Sequence, residues 1–280
     1  MAKARKPRIA ICYDFDGTLA PGNMQEYDYI PQLKMTSRGF WKEVQTRAKE
    51  QEGDGILAYM RLMLEKAKAD PSKGILVTKK AFADYARKVQ FFQGVDSWFG
   101  RINQYGKEHG AIVEHFIISS GIREMIEGTV IAKQFKKIFA SSFMYDQHGV
   151  AYWPSLALNY TTKTQFLFRI NKGNLDVWDD SKINQYLPQS ERPIPFERMI
   201  YIGDGSTDVP CMRLVKEQGG HSIAVYQPGT CNKKQSAEQL LEEKRVNFIA
   251  PADYRKSKPI DKQVKTVIDR ISVDFRISRL

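Results

Sequence analysis

Two acidic residues, Asp14 and Asp16, stand one residue apart directly after the apolar run at residues 9–13. The run is short and partly β-branched, which is typical of a buried strand that ends in a turn. Gly17 follows the pair, and its conformational freedom lets the backbone turn tightly around a ligand. Two carboxylates at such a turn suit Mg²⁺, which commonly joins one or two carboxylates to a substrate phosphate. The chemistry that this pair indicates is attack of an acidic side chain on a phosphoryl group, with the cation offsetting their repulsion.

A second acidic cluster, Gly-Asp-Gly-Ser-Thr-Asp at residues 203–208, again comes directly after a predicted strand. Asp204 stands between Gly203 and Gly205, and Asp208 ends the cluster. Acidic side chains at the end of a second strand would complete the cation site begun by the first pair.

Ser119 ends another predicted strand, at residues 115–119, and precedes Gly121 at a predicted helix start. A hydroxyl group and backbone N–H groups at a helix start can hold phosphate oxygens. Ser119 and Gly121 are therefore candidates for binding a substrate phosphate.

Lys163 is a further candidate, because Thr162 and Gln165 have the spacing of a capping box and would place it in the first turn of a helix. A cation there is unfavourable by up to about 1 kcal/mol, since it lies near the positive end of the helix dipole. The misfit is easier to understand if Lys163 faces a bound anion. Lys172 and Lys182 remain alternatives for this role.

The elements that must position these residues follow from the hydrophobic pattern. Between the first acidic pair and Ser119, apolar residues recur every three or four positions at 40–44, 56–67 and 82–89, which predicts a helical subdomain. Helices and short apolar strands then alternate, and this predicts an α/β fold with a mainly parallel sheet covered on both faces. Ligands bind beyond the carboxyl ends of the strands in such sheets. The further strands are predicted at 138–145, 150–153, 198–202, 221–226 and 246–249, and a closing helix over 260–271.

Composition narrows the class of protein. The net charge is +11, densest in an N-terminal arm that includes Lys3 and Arg5 and across residues 244–279, but mostly dispersed. No motif of a known nucleic-acid module accompanies it, so a solvated surface is favoured over a nucleic-acid site. No apolar stretch approaches the roughly 18 residues of a membrane span, and no signal peptide follows the basic arm, so we expect a cytoplasmic protein. Three cysteines without paired spacing indicate neither a disulfide framework nor a zinc site.

In order along the chain, residues 14–18 (Asp-Phe-Asp-Gly-Thr), Ser119, Lys163 and residues 203–208 resemble the four motifs of haloacid dehalogenase-like hydrolases. The helical insert between the first two motifs resembles that family's cap of the first type, found in phosphoserine phosphatase-like and cytosolic nucleotidase-like members. The resemblance implies a Rossmann-like core at residues 1–20 and 94–280 and a helical cap at residues 21–93.

For the chemistry, the resemblance implies that Asp14 is the nucleophile and forms a phosphoaspartyl intermediate. Asp16 would act as acid toward the leaving oxygen and then as base toward water. Ser119 and Lys163, with Gly121, would bind the phosphoryl oxygens of a small phosphorylated metabolite.

For the cofactor, the resemblance implies Mg²⁺ held by Asp14, the backbone carbonyl of Asp16 and Asp204, with Asp208 in support. The remaining motif residues would hold the loops in place: Gly17, Thr18, Gly203 and Gly205.

Two alternatives stay open. One is a catalytically quiet protein that uses its positive charge on nucleic acid or another polyanion, against which the intact pair of Asp14 and Asp16 speaks. The other is phosphoryl transfer to an acceptor other than water. Dehalogenation is disfavoured, because haloacid dehalogenases lack an acid at the position of Asp16.

Overall fold

The computed structural model describes residues 6–205 and 207–280. Lys3 and Arg5 of the basic arm and Ser206 of the second acidic motif lie outside the described residues. The strands are β1 (Arg8–Tyr13), β2 (Ile112–Ile122), β3 (Lys137–Tyr145), β4 (Ala151–Leu156), β5 (Met199–Gly203), β6 (His221–Tyr226) and β7 (Phe248–Pro251). The helices are α1 (Tyr29–Gln32), α2 (Ser37–Glu50), α3 (Gly55–Ala69), α4 (Lys79–Tyr85), α5 (Val95–Glu108), α6 (Arg123–Glu127), α7 (Thr164–Lys172), α8 (Val209–Glu217), α9 (Cys231–Glu242) and α10 (Pro259–Ile277). None of these helices combines the length and the apolar composition that crossing a membrane requires.

The strands form one seven-stranded sheet in the order β4-β3-β2-β1-β5-β6-β7. All neighbours run parallel except β3 and β4, which pair antiparallel. The chain builds outward from β1 in opposite directions, first through β2 and β3 and later through β5 to β7. Such a reversal of strand order opens a crevice at the carboxyl ends of the central strands. The predicted α/β class with a mainly parallel sheet is confirmed.

The central strand β1 shows why its sequence is continuously apolar. Ile9, Ile11 and Tyr13 face one hydrophobic core, which also contains residues of α5 and α10. Ala10 and Cys12 face the other core, which contains residues of α7, α8 and α9. Successive side chains of a strand point to opposite faces, so a strand covered on both sides must be apolar throughout.

A helical insertion follows β1, and we refer to residues 21–85, which include α1 to α4, as the helical cap. The three longer helices begin at local signals, because the side chains of Thr36, Asp54 and Thr78 accept hydrogen bonds from backbone N–H groups of the first turn. Such caps satisfy N–H groups that have no partner within the helix. The predicted helices over 40–44 and 56–67 are confirmed, each with its own start signal. The helix predicted over 82–89 begins earlier, at Lys79, and ends at Tyr85, where a 3₁₀ turn over Ala86–Lys88 follows.

The helical cap packs directly on the sheet domain. The rings of Phe82 in α4 and Phe143 in β3 are stacked, with centroids 5.4 Å apart. The Tyr59 hydroxyl in α3 donates to the backbone carbonyl of Ser120 at 2.6 Å. These contacts hold the cap over the carboxyl end of β2.

The end of β2 differs from the prediction. The strand was expected to stop at Ser119 and a helix to begin near Gly121, but β2 continues to Ile122 and α6 begins at Arg123. The register with β3 shifts between Ser119 and Ile122. A bulge of this kind accommodates extra residues without ending the pairing, and a local pattern of small polar residues does not reveal it. The last strand also begins two residues later than predicted, at Phe248.

A buried polar chain connects β1, β2 and α5. The Trp98 Nε1–H donates to the Tyr13 hydroxyl at 2.8 Å, and this hydroxyl lies 2.9 Å from His115 Nδ1. His115 Nε2 lies 3.0 Å from Asn103 Oδ1. Asn103 Oδ1 can only accept, so Nε2 carries a proton, and in the neutral ring Nδ1 accepts the proton of the Tyr13 hydroxyl. These bonds suit a neutral imidazole, and burial lowers the pKa of His115 from 6.5 to about 3.

The free energy of unfolding is therefore expected to fall as the pH decreases from 6.5 toward 3, because the unfolded chain binds a proton that the folded His115 excludes. At about 1.4 kcal/mol per pH unit, this residue accounts for roughly 2 kcal/mol between pH 6.5 and 5.0. Urea unfolding at both pH values would measure it. His115→Gln should reduce the pH dependence by that amount, whereas His148→Gln, at an exposed position, should leave it unchanged. An equal pH dependence in all three proteins would contradict the role of His115.

Candidate active site

Three predicted site residues meet because their strands are neighbours. Asp14 follows β1, Ser119 lies in β2 and Asp204 follows β5, and β1 pairs in parallel with both β2 and β5. The Asp14 N–H donates to the Ile202 carbonyl at 2.9 Å, so the pairing with β5 extends one residue past β1. Parallel strands end at the same edge of a sheet, and the three side chains therefore surround one crevice.

The loop after Asp14 requires a glycine. The Gly17 N–H donates to the Ala20 carbonyl at 2.7 Å and closes a tight turn. Gly17 has a φ of 76°, in the left-handed region, and a Cβ atom there would lie 2.3 Å from Asp204 Oδ2. Only a residue without a side chain lets the two motifs approach this closely.

The other residues expected to support the loops differ in what the fold demands of them. Thr18 is buried, and its carbonyl accepts a hydrogen bond from the Tyr254 hydroxyl at 2.8 Å. At Gly203 a Cβ atom would lie 2.5 Å from Asp208 Oδ2, so this strand end also needs glycine. At Gly205 an added Cβ atom would meet no described atom within 4 Å. The described contacts thus give no steric reason for glycine at position 205.

Lys163 is positioned differently from the prediction. It is the N-cap residue of α7 and precedes the first turn, and the predicted capping box between Thr162 and Gln165 does not form. The Thr162 hydroxyl instead accepts a hydrogen bond from the Asn159 N–H at 2.8 Å. Such bonds within a turn compete with helix capping for the same hydroxyl group. The spacing of Thr162 and Gln165 therefore predicted a capping box that does not form.

The side chain of Lys163 ends between two carboxylates. Its Nζ atom lies 2.8 Å from Asp208 Oδ1 and 3.1 Å from Asp14 Oδ1, and the side chain is 0% exposed. Lys172 donates to backbone carbonyl groups, and Lys182 is exposed. Of the three lysines considered from the sequence, Lys163 is the one beside Asp14.

The electrostatics reflect several acids in a buried space. Burial and the charge of Asp208 raise the pKa of Asp14 to about 7, although Lys163 opposes the shift. Burial and Asp208 also raise the pKa of Asp204, against the opposing charge of Lys233. Burial by itself would lower the pKa of Lys163, but the charges of Asp14 and Asp208 raise it above the ordinary value. The site therefore keeps Lys163 charged and favours further positive charge.

Tyr201 is a site residue that sequence reasoning missed. Its hydroxyl donates to Asp208 Oδ1 at 2.8 Å, on the same oxygen that Lys163 approaches. Tyr201 lies in β5 and its ring belongs to the second hydrophobic core. A buried tyrosine needs a partner for its hydroxyl, and its place two residues before Gly203 was the available signal.

Asp16 is held apart from the other acids. Its Oδ1 atom accepts a hydrogen bond from the Met24 N–H at 2.8 Å, at the point where the chain enters the helical cap. Burial, followed by the charge of Asp14, raises the pKa of Asp16 well above the ordinary value. The environment of Asp16 therefore favours a protonated carboxyl group.

Ser119 and Gly121 lie together in the bulged end of β2. The Gly121 N–H donates to Ser119 Oγ at 3.1 Å, and Ser119 is buried. The oxygen of the hydroxyl group is thereby oriented, while its proton remains free for another acceptor.

Three carboxylates form a group that could hold a metal ion. Asp14, Asp204 and Asp208 each offer an oxygen, and these oxygens lie within 4.8 Å of one another. Among residues 6–205 and 207–280, Asp208 Oδ2 is buried without a hydrogen-bond partner, and Asp14 Oδ1 is buried with the Lys163 ammonium group 3.1 Å away. Buried acceptors without donors are costly unless a cation or a ligand meets them.

Asp14, Asp16, Ser119 and Asp204 line a cavity of about 360 Å³ between the sheet edge and the helical cap. Lys233, at the start of α9, also lines the cavity, and its Nζ atom lies 3.3 Å from Asp204 Oδ2. This lysine was missed, because nothing near it in sequence resembles a motif. The cap contributes Gly22, Asn23, Gln25, Trp41, Ile56 and Tyr59.

Comparison with known proteins agrees with this arrangement. The sequence model of the family described as haloacid dehalogenase-like hydrolase matches residues 11–213. An uncharacterized protein of Borreliella burgdorferi is 29% identical over 276 residues, which cover 90% of this chain and 93% of that protein.

Solved structures share the fold at low sequence identity. A HAD family hydrolase from Salmonella enterica serovar Typhi has a TM-score of 0.59 at 15% identity, covering 94% of this chain and 72% of its own. A substrate-bound phosphoserine phosphatase has a TM-score of 0.57 at 12% identity, with 94% and 99% covered. A phospho-aspartyl intermediate analogue of phosphoserine phosphatase has a TM-score of 0.53 at 14% identity, with 93% and 99% covered.

Replacing Lys163 by methionine is expected to destabilise the metal-free protein by about 3–5 kcal/mol, because Asp14 and Asp208 would remain buried without their cation. The loss should shrink as the pH falls, since protonation removes the unpaired charges. Urea unfolding with chelator present, at pH 8 and pH 5.5, measures both effects.

Lys182→Met is the matched control at an exposed position, and it should unfold as the wild type does. If Lys163→Met kept the wild-type free energy of unfolding at pH 8, the ion pairs of Lys163 would not hold the site together.

Proposed function

Because the chain belongs to the haloacid dehalogenase-like hydrolase family, we propose that it is a Mg²⁺-dependent phosphohydrolase that cleaves a small phosphomonoester. The observation that carries the proposal is the position of Asp14, Asp16 and Asp204 on one wall of a cavity, with Lys163 Nζ 3.1 Å from Asp14 Oδ1. The structural relatives include phosphoserine phosphatase with its substrate and an analogue of its phospho-aspartyl intermediate. A hydrolase that uses an aspartyl nucleophile accounts for each of these features.

The residues present fit Mg²⁺. This cation takes oxygen ligands, and the group of Asp14, Asp204 and Asp208 offers three carboxylates, of which Asp208 has a buried oxygen without a donor among the described residues. Asp14, Asp204 and the backbone carbonyl of Asp16 would hold the ion, with Asp208 in support. When bound, Mg²⁺ would offset the negative charges of the carboxylates and of the phosphoryl group.

In the first step, a carboxylate oxygen of Asp14 attacks the phosphorus atom, and the bond from phosphorus to the leaving oxygen breaks. Lys163, at 3.1 Å from Asp14, opposes the effect of burial and supports the ionised nucleophile. Asp16 gives its proton to the leaving oxygen, which the raised pKa of this buried acid favours. The products of this step are the free alcohol and an acyl phosphate on Asp14.

In the second step, Asp16 takes a proton from water, and the water oxygen attacks the phosphorus atom on Asp14. The aspartyl bond breaks, which releases inorganic phosphate and regenerates the carboxylate. Dividing one difficult displacement into two easier ones is the gain of covalent catalysis.

Ser119 and Lys163 would contact the phosphoryl oxygens during both steps. The Gly121 N–H donates a hydrogen bond to the Ser119 hydroxyl oxygen. The proton of this hydroxyl group therefore remains available for a phosphoryl oxygen. Gly121 therefore contributes by orienting Ser119.

Asp14→Asn is expected to abolish release of phosphate from phosphomonoesters, because an amide cannot serve as the nucleophile. Asp16→Asn should slow release by about 10²–10⁴-fold, as loss of a positioned acid and base does. Initial rates of phosphate release, for variants whose circular dichroism matches the wild type, test both roles. Asp180→Asn, at an exposed position, is the control and should retain wild-type rates. Full activity of Asp14→Asn would refute the covalent mechanism, and salt-sensitive polyanion binding without any hydrolysis would favour the binding-protein alternative.

Mg²⁺ should raise the thermal midpoint of the wild-type protein, because a ligand that binds only the folded state stabilises it by about 2.7 kcal/mol at a hundred times its Kd. Asp204→Asn removes one of the three clustered carboxylates and should lose most of this shift. Differential scanning fluorimetry with a magnesium titration measures the effect. Asp180→Asn should show the full shift, and an equal shift in Asp204→Asn would remove Asp204 from the metal site.

A further inference from the structure

The two walls of the active-site cavity differ in charge. The sheet side presents Asp14, Asp16, Asp204 and Lys233. The cap side consists of Gly22, Asn23, Gln25, Trp41, Ile56 and Tyr59, and within the described residues that line the cavity it has no charged side chain. Since the phosphoryl group lies with the acids and the cation on the sheet side, the rest of the substrate must face the uncharged wall.

An uncharged wall disfavours a charged leaving group. A carboxylate group that leaves water for this wall would find no partner of opposite charge among the described lining residues, and such a loss of hydration is unfavourable. An ammonium group would find near this wall the Glu26 carboxylate, whose Oε1 atom already accepts hydrogen bonds from Asn23 and Trp41. Lys233 does not solve the problem for a carboxylate, because its Nζ atom already lies 3.3 Å from Asp204 Oδ2. An uncharged leaving group meets no such penalty.

The aromatic residues of the cap wall have their polar atoms engaged by the protein. The Trp41 Nε1–H donates to Glu26 Oε1 at 2.6 Å, and the Tyr59 hydroxyl donates to the Ser120 carbonyl at 2.6 Å. The two rings pack edge to face, with centroids 5.8 Å apart. Trp41 and Tyr59 therefore offer a substrate apolar ring surface.

Gln25 is different, because no described residue donates a hydrogen bond to its amide oxygen. It is 2% exposed, and its Oε1 atom is buried without a hydrogen-bond partner among the described residues. The residue lines the cavity directly after Met24, whose N–H is bonded to Asp16. Rotation of the amide exchanges its donor and acceptor ends, so Gln25 can pair with a hydroxyl group in either sense. A buried amide without a partner, next to the proposed acid, is placed to bind the leaving group.

We propose that the substrate carries an uncharged, hydroxyl-bearing leaving group with an apolar face, and that Gln25 hydrogen-bonds this group. The inference rests on the proposed phosphohydrolase function and narrows its substrate class. It separates this chain from the phosphoserine phosphatases that share its fold, because the leaving group of phosphoserine carries both an ammonium and a carboxylate group.

Substrate pairs that differ in one charge test the proposal with the wild-type protein. Glycerol 3-phosphate and 3-phosphoglycerate differ by a hydroxymethyl group in place of a carboxylate, and glucose 6-phosphate and 6-phosphogluconate form a second pair. The uncharged member of each pair should have a kcat/KM at least about tenfold higher, because a tenfold ratio corresponds to the free energy of roughly one hydrogen bond. O-Phosphoserine should be a poor substrate. Testing a nucleoside 5′-monophosphate as a further substrate distinguishes a nucleoside leaving group from a sugar.

The role of Gln25 is tested with Gln25→Met, which keeps the size of the side chain and removes the amide. For the better uncharged substrate, KM should rise about five- to tenfold, as loss of one neutral hydrogen bond predicts. The difference from the charged partner should decrease, because only the uncharged substrate loses a contact. Gln32→Met, at an exposed position in α1, is the matched control and should behave as the wild type.

Hydrolysis of p-nitrophenyl phosphate separates the two levels of the proposal. If p-nitrophenyl phosphate is hydrolysed, and O-phosphoserine is hydrolysed as efficiently as the uncharged esters, the phosphohydrolase function stands and the proposed substrate class is wrong. If no phosphomonoester is hydrolysed, the function fails and the substrate class fails with it. A Gln25→Met protein that folds and has an unchanged KM for every substrate would remove Gln25 from recognition.

Discussion

The buried ammonium group of Lys163 is the interaction on which the site depends. It lies between Asp14 and Asp208 with no exposure to solvent, so each of the three charges is acceptable in the interior only because the others are present. This places strict demands on the surroundings. The N-terminus of α7 must position the lysine, and the Tyr201 hydroxyl must donate to the same Asp208 oxygen. One cation therefore links β1, β5, α7 and α8.

The same crowding explains the glycines of the two acidic motifs. A side chain at Gly17 would collide with Asp204, and one at Gly203 would collide with Asp208. The backbone thus approaches the carboxylates where any other residue would push them apart. Because several acids share this space, burial and mutual repulsion raise the pKa of Asp14 and Asp204 despite the nearby lysines. An arrangement that remains short of positive charge is suited to receive a metal ion.

The sheet and the helical cap divide the work of the proposed enzyme. The strand ends supply the charged groups that phosphoryl transfer needs, and they are held rigidly by parallel pairing on both sides of β1. The cap supplies an uncharged wall whose aromatic residues are fixed by their own hydrogen bonds. In the proposed enzyme, the sheet side therefore carries out the reaction and the cap side selects the leaving group. On the cap side, the amide oxygen of Gln25 has no hydrogen-bond partner among the described residues.

The secondary structure and the acidic motifs could be predicted from the amino-acid sequence, because periodicity and turn chemistry act over a few residues. Apolar spacing predicted the strands and the cap helices, and the two acidic motifs predicted Asp14, Asp16 and Asp204 at strand ends. Other features depend on tertiary contacts. The bulge through which β2 continues past Ser119 depends on pairing with β3. The Thr162 hydroxyl does not cap α7, because in its loop it accepts a hydrogen bond from the Asn159 N–H. The roles of Tyr201, Lys233 and Gln25 arise from contacts with residues distant in the chain. Partners of this kind leave no local pattern, since which buried polar group meets which is set by packing in three dimensions.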